Sequence, residues 1–237
     1  MIATDRRSQL NIGTIPSQHR RDFIFDSYLQ LYLPLWHPEL SGSPIVSKDF
    51  NLISCTVYGA THSPPSGRTF DGINDYIDVG NPASLQLTHP FTFEVWYKQS
   101  NLCSQRAQNE ALGGKYDGTN KKGYRFFLYT SDNLYFTTWD GTNYSEPGAS
   151  FTYVNQWVHI VGTHNGATAR LYFNGVLVNS QSTNNGIADA ACNFHIGRLE
   201  IGGAPATGFI GEVRLYSRVL NAAEILHNYN GTRGRYT

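Results

Sequence analysis

The sequence predicts an all-β domain: a jelly-roll sandwich of two antiparallel sheets, with an extended N-terminal arm and one short helix near its C-terminal end. Three observations predict the β-rich sandwich. Tyr and Phe dominate an aromatic-rich composition, 15 and 13 of 237 residues beside a single Met, and flat side chains suit a pleated, half-buried surface. Apolar and polar residues alternate over short runs, the period of a strand with one face buried. Turn signals built from Gly, Asn, Asp and Pro cut the chain between those runs. With 40% hydrophobic and only 15% charged residues, the chain lies outside the disordered range and can bury a core.

The elements follow in order. Residues 1–26 are polar, carry Arg6, Arg7, Arg20 and Arg21, and keep no sustained period. They read as a flexible tail, or as a docking and assembly arm held by its own domain or by a neighbouring chain. Residues 27–237 read as the sandwich. Leu29 to Trp36 alternates until Pro34, which has no N–H to give a ladder, so an edge strand or a strand end falls there. Asp75 to Val79 alternates and stops at Gly80-Asn81-Pro82. Phe91 to Lys98 places Phe91, Phe93, Val95 and Tyr97 on one face, with Thr92, Glu94, Trp96 and Lys98 on the other. Trp96 therefore either covers a second apolar layer or is exposed. Residues 99–122, polar and rich in Gly and Asn, read as a long loop.

Strands follow at Tyr124 to Tyr129 and Leu134 to Trp139, with turns at Ser131-Asp132-Asn133 and Asp140-Gly141. Trp157 to Thr163 is a strand. Ala169 to Phe173 then meets Asn174-Gly175 and Val176-Leu177-Val178. A two-residue type I′ turn needs positive φ at both central positions, which Asn and Gly tolerate best, so this is a hairpin. Cys192 to Gly197 and Phe209 to Tyr216 are the last strands. Asn221 to His227 is the one helical segment, with Glu224 completing a capping box.

Composition narrows the function. The formal net charge is +0, so there is no basic field to attract nucleic acid. No run approaches the length of about 18 apolar residues that a membrane helix needs. Met1 to Asn11 has an Arg pair but no apolar core behind it, so no signal peptide is expected. Cys55, Cys103 and Cys192 allow at most one disulfide, and free, buried thiols are the expected state. No pair of carboxylates two apart on a strand suggests a glycosidase, and no Ser/His/Asp or His-x-x-x-His pattern stands out, so no enzyme is expected. His159, inside a strand, reads as structural.

Taken together, Leu31 to Pro34, Gly67 to Ile77, Phe91 to Lys98, Gln156 to Thr163, Arg170 to Gly175 and Gly208 to Glu224 resemble the laminin-G-like domains of the concanavalin A-like lectin/glucanase superfamily. The resemblance runs from about residue 28 to 230. It implies the two-sheet jelly roll and a non-catalytic binding or adhesion module, and places Trp157 in the core at a strand start. It also implies a calcium ion held by loop acids, for which Asp71, Asp75 and Glu212 are the candidates. The chain departs from the family at Ile210-Gly211-Glu212, where Gly211 stands in place of a carboxylate. For glycans, which need an aromatic face and a polar rim, the candidates are Trp139, Asp140, Asn143 and Tyr144.

Two roles fit. The first is a structural subunit of a virion surface or filament, assembled through its arm with copies of itself or a neighbouring structural protein, displaying a lectin-like domain toward cell-surface glycans. The alternative is a secreted or cell-surface glycan-binding or adhesion module. Both place the domain on a virion or an extracellular surface.

Overall fold

The structure is a computed structural model that describes residues 22–88, 90–182, 186–201 and 203–237. Arg6, Arg7, Arg20 and Arg21 lie outside the described residues. In chain order the strands are β1 (Leu29–Pro34), β2 (Ile45–Val46), β3 (Ser54–Tyr58), β4 (Thr61–Ser63), β5 (Gly67–Asp71), β6 (Tyr76–Gly80) and β7 (Phe91–Gln99). A single helical turn α1 (Cys103–Arg106) leads to β8 (Glu110–Asp117), β9 (Lys122–Leu128), β10 (Asn133–Asp140), β11 (Tyr144–Ser145) and β12 (Gly148–Ser150). The rest is β13 (Trp157–His164), β14 (Thr168–Phe173), β15 (Val176–Ser182), β16 (Phe194–Ile196), β17 (Thr207–Tyr216) and α2 (Ala222–Thr232).

These strands build two antiparallel sheets. Sheet 1 runs β15-β14-β13-β7-β17-β5-β4, with β1 also pairing β17; sheet 2 runs β11-β10-β9-β8-β16-β6-β3-β2, with β12 also pairing β10. The core fills the space between them. Phe91, Phe93, Val95 and Tyr97 of β7 meet Tyr124, Phe126 and Leu128 of β9 and Leu134 and Phe136 of β10, all buried. Phe93 and Phe126 stack at 4.4 Å. Alternation along each strand decides which side chains enter that layer.

The outward face of sheet 1 is covered too. Phe23, Tyr32, Val161, Tyr172, Tyr216, Leu220 and Ile225 form a second apolar cluster beneath α2. Trp96 belongs to this layer: it is 2% exposed, stacks on Tyr236 at 4.3 Å, and donates from Nε1 to Thr232 Oγ1 at 3.0 Å. Beside it Glu94, Arg214 and Glu212 form a buried ion network, with Arg214 Nη1 at 3.0 Å from Glu94 Oε2 and Nη2 bonded to Glu212. Asn228 of α2 donates to both Glu94 oxygens at 3.0 and 3.1 Å. The helix is thus fixed to the sheet by polar contacts as well as by its apolar side.

Several expectations meet the structure directly. β1 ends at Pro34 and, among the described residues, pairs only β17. The hairpin turns at Asn174 and Gly175, with φ of 51° and 81°. The capping box at Asn221 is present, though the helix continues to Thr232, beyond His227. Cys55, Cys103 and Cys192 are free and buried. Residues 99–122 differ: in place of a long loop they contain α1 and β8, a central strand between β9 and β16 that is buried along its whole length. Asp22 to Asp26, grouped by sequence with the arm, pack onto the sandwich. Phe23 is 4.6 Å from the Tyr32 ring, and Tyr216 donates its hydroxyl to the Ile24 carbonyl at 2.9 Å.

Candidate ligand-binding face

Among the described residues no helix lies on the outward face of sheet 2, although Leu199 and Ala204 pack on its middle, against Ala111, Tyr116 and Phe127. Along β10, Leu134 and Phe136 point into the core, so Tyr135, Thr137 and Trp139 point outward. Tyr135 and Trp139 are four positions apart along the strand, a span on the order of 13 Å. Each end carries an aromatic pair. At one end the Asp140-Gly141 turn sets Trp139 opposite Tyr144 across the β10–β11 ladder, and the two rings stack at 4.6 Å. Tyr144 is half exposed. Lys121 Nζ lies 5.5 Å from the Trp139 ring centre.

Asp140 builds that turn. Its Oδ1 accepts from the Thr142 and Asn143 amides at 2.8 and 2.7 Å, and Asn143 Nδ2 approaches Oδ2 at 3.4 Å. Burial pushes the Asp140 carboxyl up, but these bonds outweigh it and hold it below the usual value. The four sequence candidates Trp139, Asp140, Asn143 and Tyr144 therefore sit together on one hairpin.

At the other end the Tyr129 and Tyr135 rings meet edge to face at 5.3 Å. With Thr130, Ser131 and Glu146 they line a cleft of about 390 Å³. Glu146 Oε1 accepts from Thr137 Oγ1 at 2.7 Å, and Arg125 Nη2 donates to the Tyr129 hydroxyl at 3.2 Å. Arg125 lies between the two ends, over the Tyr116 ring at 4.2 Å and the Phe127 ring at 4.0 Å. Sequence reasoning did not find Tyr129, Tyr135, Arg125 or Glu146. The outward alternation of β9 and β10 was the available signal, but it gains meaning only once the two strands are paired and the face is seen to carry no helix.

Asp71 and Asp75 form a tight pair: Asp71 Oδ1 accepts from the Ile73, Asn74 and Asp75 amides at 2.8, 3.2 and 3.4 Å, and Asp75 Oδ2 accepts from the Asp71 amide at 3.0 Å. Burial slightly raises the Asp71 carboxyl, yet those amides hold it below the usual value, while burial and the Asp71 charge push Asp75 up. Glu212 is elsewhere. Asp71 pairs with Thr207, five residues along β17 from Glu212, and Glu212 is buried among Arg214, Arg235 and Trp36. The three do not converge. Among the described residues no three His, Cys, Asp or Glu side chains group as a metal site would require.

The remaining reactive types are structural. His159 is fully buried, lies 3.8 Å from Glu94 Oε2, and packs against both the Trp96 and Tyr229 rings, which also touch each other. Burial pushes the Cys55 thiol up to about 12 and the Cys192 thiol to about 11, far from a thiolate at neutral pH. Trp157 is not in the inter-sheet core. It is half-buried on the outward side of sheet 1, 4.7 Å from the Tyr236 ring, because β13 sends Val158 and Ile160 inward and its odd-numbered neighbours outward.

A two-layer jelly roll with one sheet face covered by a helix and the other partly open, aromatic and edged with amides and carboxylates is a lectin-like domain. The chain belongs to the concanavalin A-like lectin/glucanases superfamily, whose laminin G family model matches residues 71–226. Among solved structures it is similar to the receptor-binding domain of botulinum neurotoxin C/D mosaic serotype, at TM-score 0.69 and 14% identity over 86% of this chain and 51% of that one. The binding domain of Paraclostridial Mosquitocidal Protein 1 matches at TM-score 0.65 and 20% identity, over 86% and 52%. The binding domain of botulinum neurotoxin DC, solved in complex with SialylT, matches at TM-score 0.65 and 12% identity, over 86% and 51%. The chain spans about half the length of these domains. A comparison with curated proteins returns no match.

Proposed function

We propose that this domain is a non-catalytic glycan-binding module whose ligand lies along β10 on the outward face of sheet 2. The observation that carries the reading is the pairing of two aromatic sites on one strand face, Trp139 with Tyr144 and Tyr135 with Tyr129. Sugar rings present apolar C–H faces to such rings and hydroxyls to the groups around them. Asp140, Asn143, Glu146 and Ser131 supply that rim. The non-catalytic part is supported by the state of the acids: Glu94 and Glu212 are bound to Arg214, and Asp71 is committed to its own turn. The receptor-binding and SialylT-bound domains of similar fold lend support at the level of architecture only.

A glycan array probed with the full chain tests the reading. Binding is expected, weakened about three- to tenfold by Trp139→Ala through the loss of a stacking contact. An array with no bound glycan contradicts it. The finer role, a virion or filament subunit docked through Arg6, Arg7, Arg20 and Arg21, draws on the sequence of the arm. Light scattering on the chain with and without residues 1–21 tests that role, with self-association expected only when the arm is present.

A further inference from the structure

A second cluster stands on the same face of sheet 2, four strands from β10 and about 19 Å across the sheet. Tyr58 of β3 and Tyr76 of β6 are direct cross-strand partners, and their rings stack at 4.4 Å with 10° between planes. On the other side of Tyr76 the Arg198 guanidinium lies 4.1 Å from the ring centre. The order across the sheet is thus Tyr58, Tyr76, Arg198. Tyr58 is 44% exposed, so one face of this stack is open to solvent.

Arg198 lacks the protein acceptors that most of the described arginines have. Arg68, Arg106, Arg125, Arg214, Arg218 and Arg235 all donate hydrogen bonds to described acceptors. Arg198 has no hydrogen-bond acceptor and no carboxylate within 4.0 Å among the described residues, and its Nε is buried without a partner. A guanidinium presents five N–H donors in a planar fork that matches a carboxylate in bidentate fashion. Here the guanidinium is already seated over the Tyr76 ring, so less freedom remains to be lost on binding.

The surrounding groups suit a sugar. Asp78 accepts from Asn193 Nδ2 at 3.1 Å and faces His195 Nε2 at 3.5 Å, and Glu200 accepts from the Asn193 amide. Both acids are engaged by neighbours other than Arg198, yet keep lone pairs for hydroxyl donors. Tyr58 offers a ring face beside them.

We propose that Arg198, Tyr76 and Tyr58 form an acidic-sugar subsite, in which the guanidinium pairs with the carboxylate of a uronic or sialic acid and the Tyr58 ring packs on its apolar side. This rests on the glycan reading above and specifies the acidic end of the ligand.

The test uses the full chain and the methyl glycosides of glucuronic acid and sialic acid, each beside its uncharged methyl ester, with inorganic sulfate as a further arm. Binding is followed by calorimetry and by NMR shifts. At least one acid is expected to bind tenfold or more tighter than its ester. Arg198→Gln abolishes that preference at an unchanged melting temperature, Arg198→Lys restores it in part, and Tyr58→Ala weakens the acid without touching neutral glycans held at Trp139. If acid and ester bind alike, or Arg198→Gln changes nothing while array glycans still bind, the subsite is wrong and the glycan reading stands. Sulfate binding as tightly as the acids assigns Arg198 to anions in general and overturns the sugar. If no glycan of any kind binds, both proposals fall.

Discussion

The ring of Tyr236 lies where a side chain on Gly211 would be. A Cβ built at Gly211 would meet Tyr236 Cε1 at 2.3 Å and the hydroxyl at 2.8 Å. Gly211 sits at the bulge between Ile210 and Glu212 in the pairing of β17 with β7, and its backbone conformation is open to any residue. Space alone requires the glycine. Read along the chain, Gly211 is a missing carboxylate. Read in the fold, it is the gap that lets Tyr236 stack on Trp96 and pack against Trp157. No local pattern announces a contact between residues 25 apart, so this meaning was not legible from sequence. Gly211→Ala is expected to cost about 1–3 kcal/mol in denaturant unfolding, as overpacking does. In a Tyr236→Ala background the same change should cost less than about 0.5 kcal/mol, since the clash is then gone; equal costs in both backgrounds would contradict the contact.

Among elements, legibility followed locality. The hairpin at Asn174-Gly175 was readable because its turn chemistry lies in two adjacent residues, and the structure adds a second duty: Asn174 Oδ1 accepts from the His159 amide at 2.9 Å, tying the turn to β13. The α2 start was readable for the same reason. Asn221 Oδ1 accepts from Ala223 and Glu224 at 2.9 and 3.0 Å, and Glu224 accepts from the Asn221 amide at 2.8 Å. Asn221→Ala is expected to lower stability by about 0.5–2 kcal/mol, read from the thermal midpoint; no change would mean the cap is idle. β8 was hidden because its polar residues look like loop. Glu110 accepts from the Tyr97 and Thr207 hydroxyls at 2.6 and 2.7 Å, and Lys115 pairs with Asp189. Partners supplied by distant strands make a buried polar strand stable, and a single strand's sequence does not show them. The glycan hairpin was legible from Trp139 to Tyr144, whereas the Tyr129–Tyr135 cleft and Arg198 needed the sheet assembled.

For the whole molecule, the buried titratable groups set how stability follows pH. Burial pushes the Glu94 carboxyl up, but His159, Arg214 and Asn228 outweigh it and hold the group below its usual 4.5. The unfolded chain then binds its proton first, so this contribution is full above about pH 4.5 and is lost as pH falls through the folded value. Burial also drives the His195 imidazole below its usual 6.5, against the pull of Asp78, and the same sign applies as pH falls below about 6.5. Asp49, raised by burial, offsets part of this. Urea midpoints should therefore fall as pH drops below about 6.5 and further below about 4.5, and Glu94→Gln should flatten the part below about 4.5; a curve flat or rising below about pH 4.5 would contradict the network. At the same scale the sandwich has two outward faces, one packed under α2 and one without a helix and open at the aromatic ends of β10, and the central claim is that the ligand uses the second. The four tryptophans report on this separately, since Trp96 and Trp157 lie beneath or beside the C-terminal segment and Trp139 lies on β10. The most direct measurement is the movement of the four indole N–H resonances of the full chain on titration with the tightest array glycan. The account predicts that Trp139 shifts while Trp96 and Trp157 stay in place; shifts at Trp157 with Trp139 unmoved would contradict it.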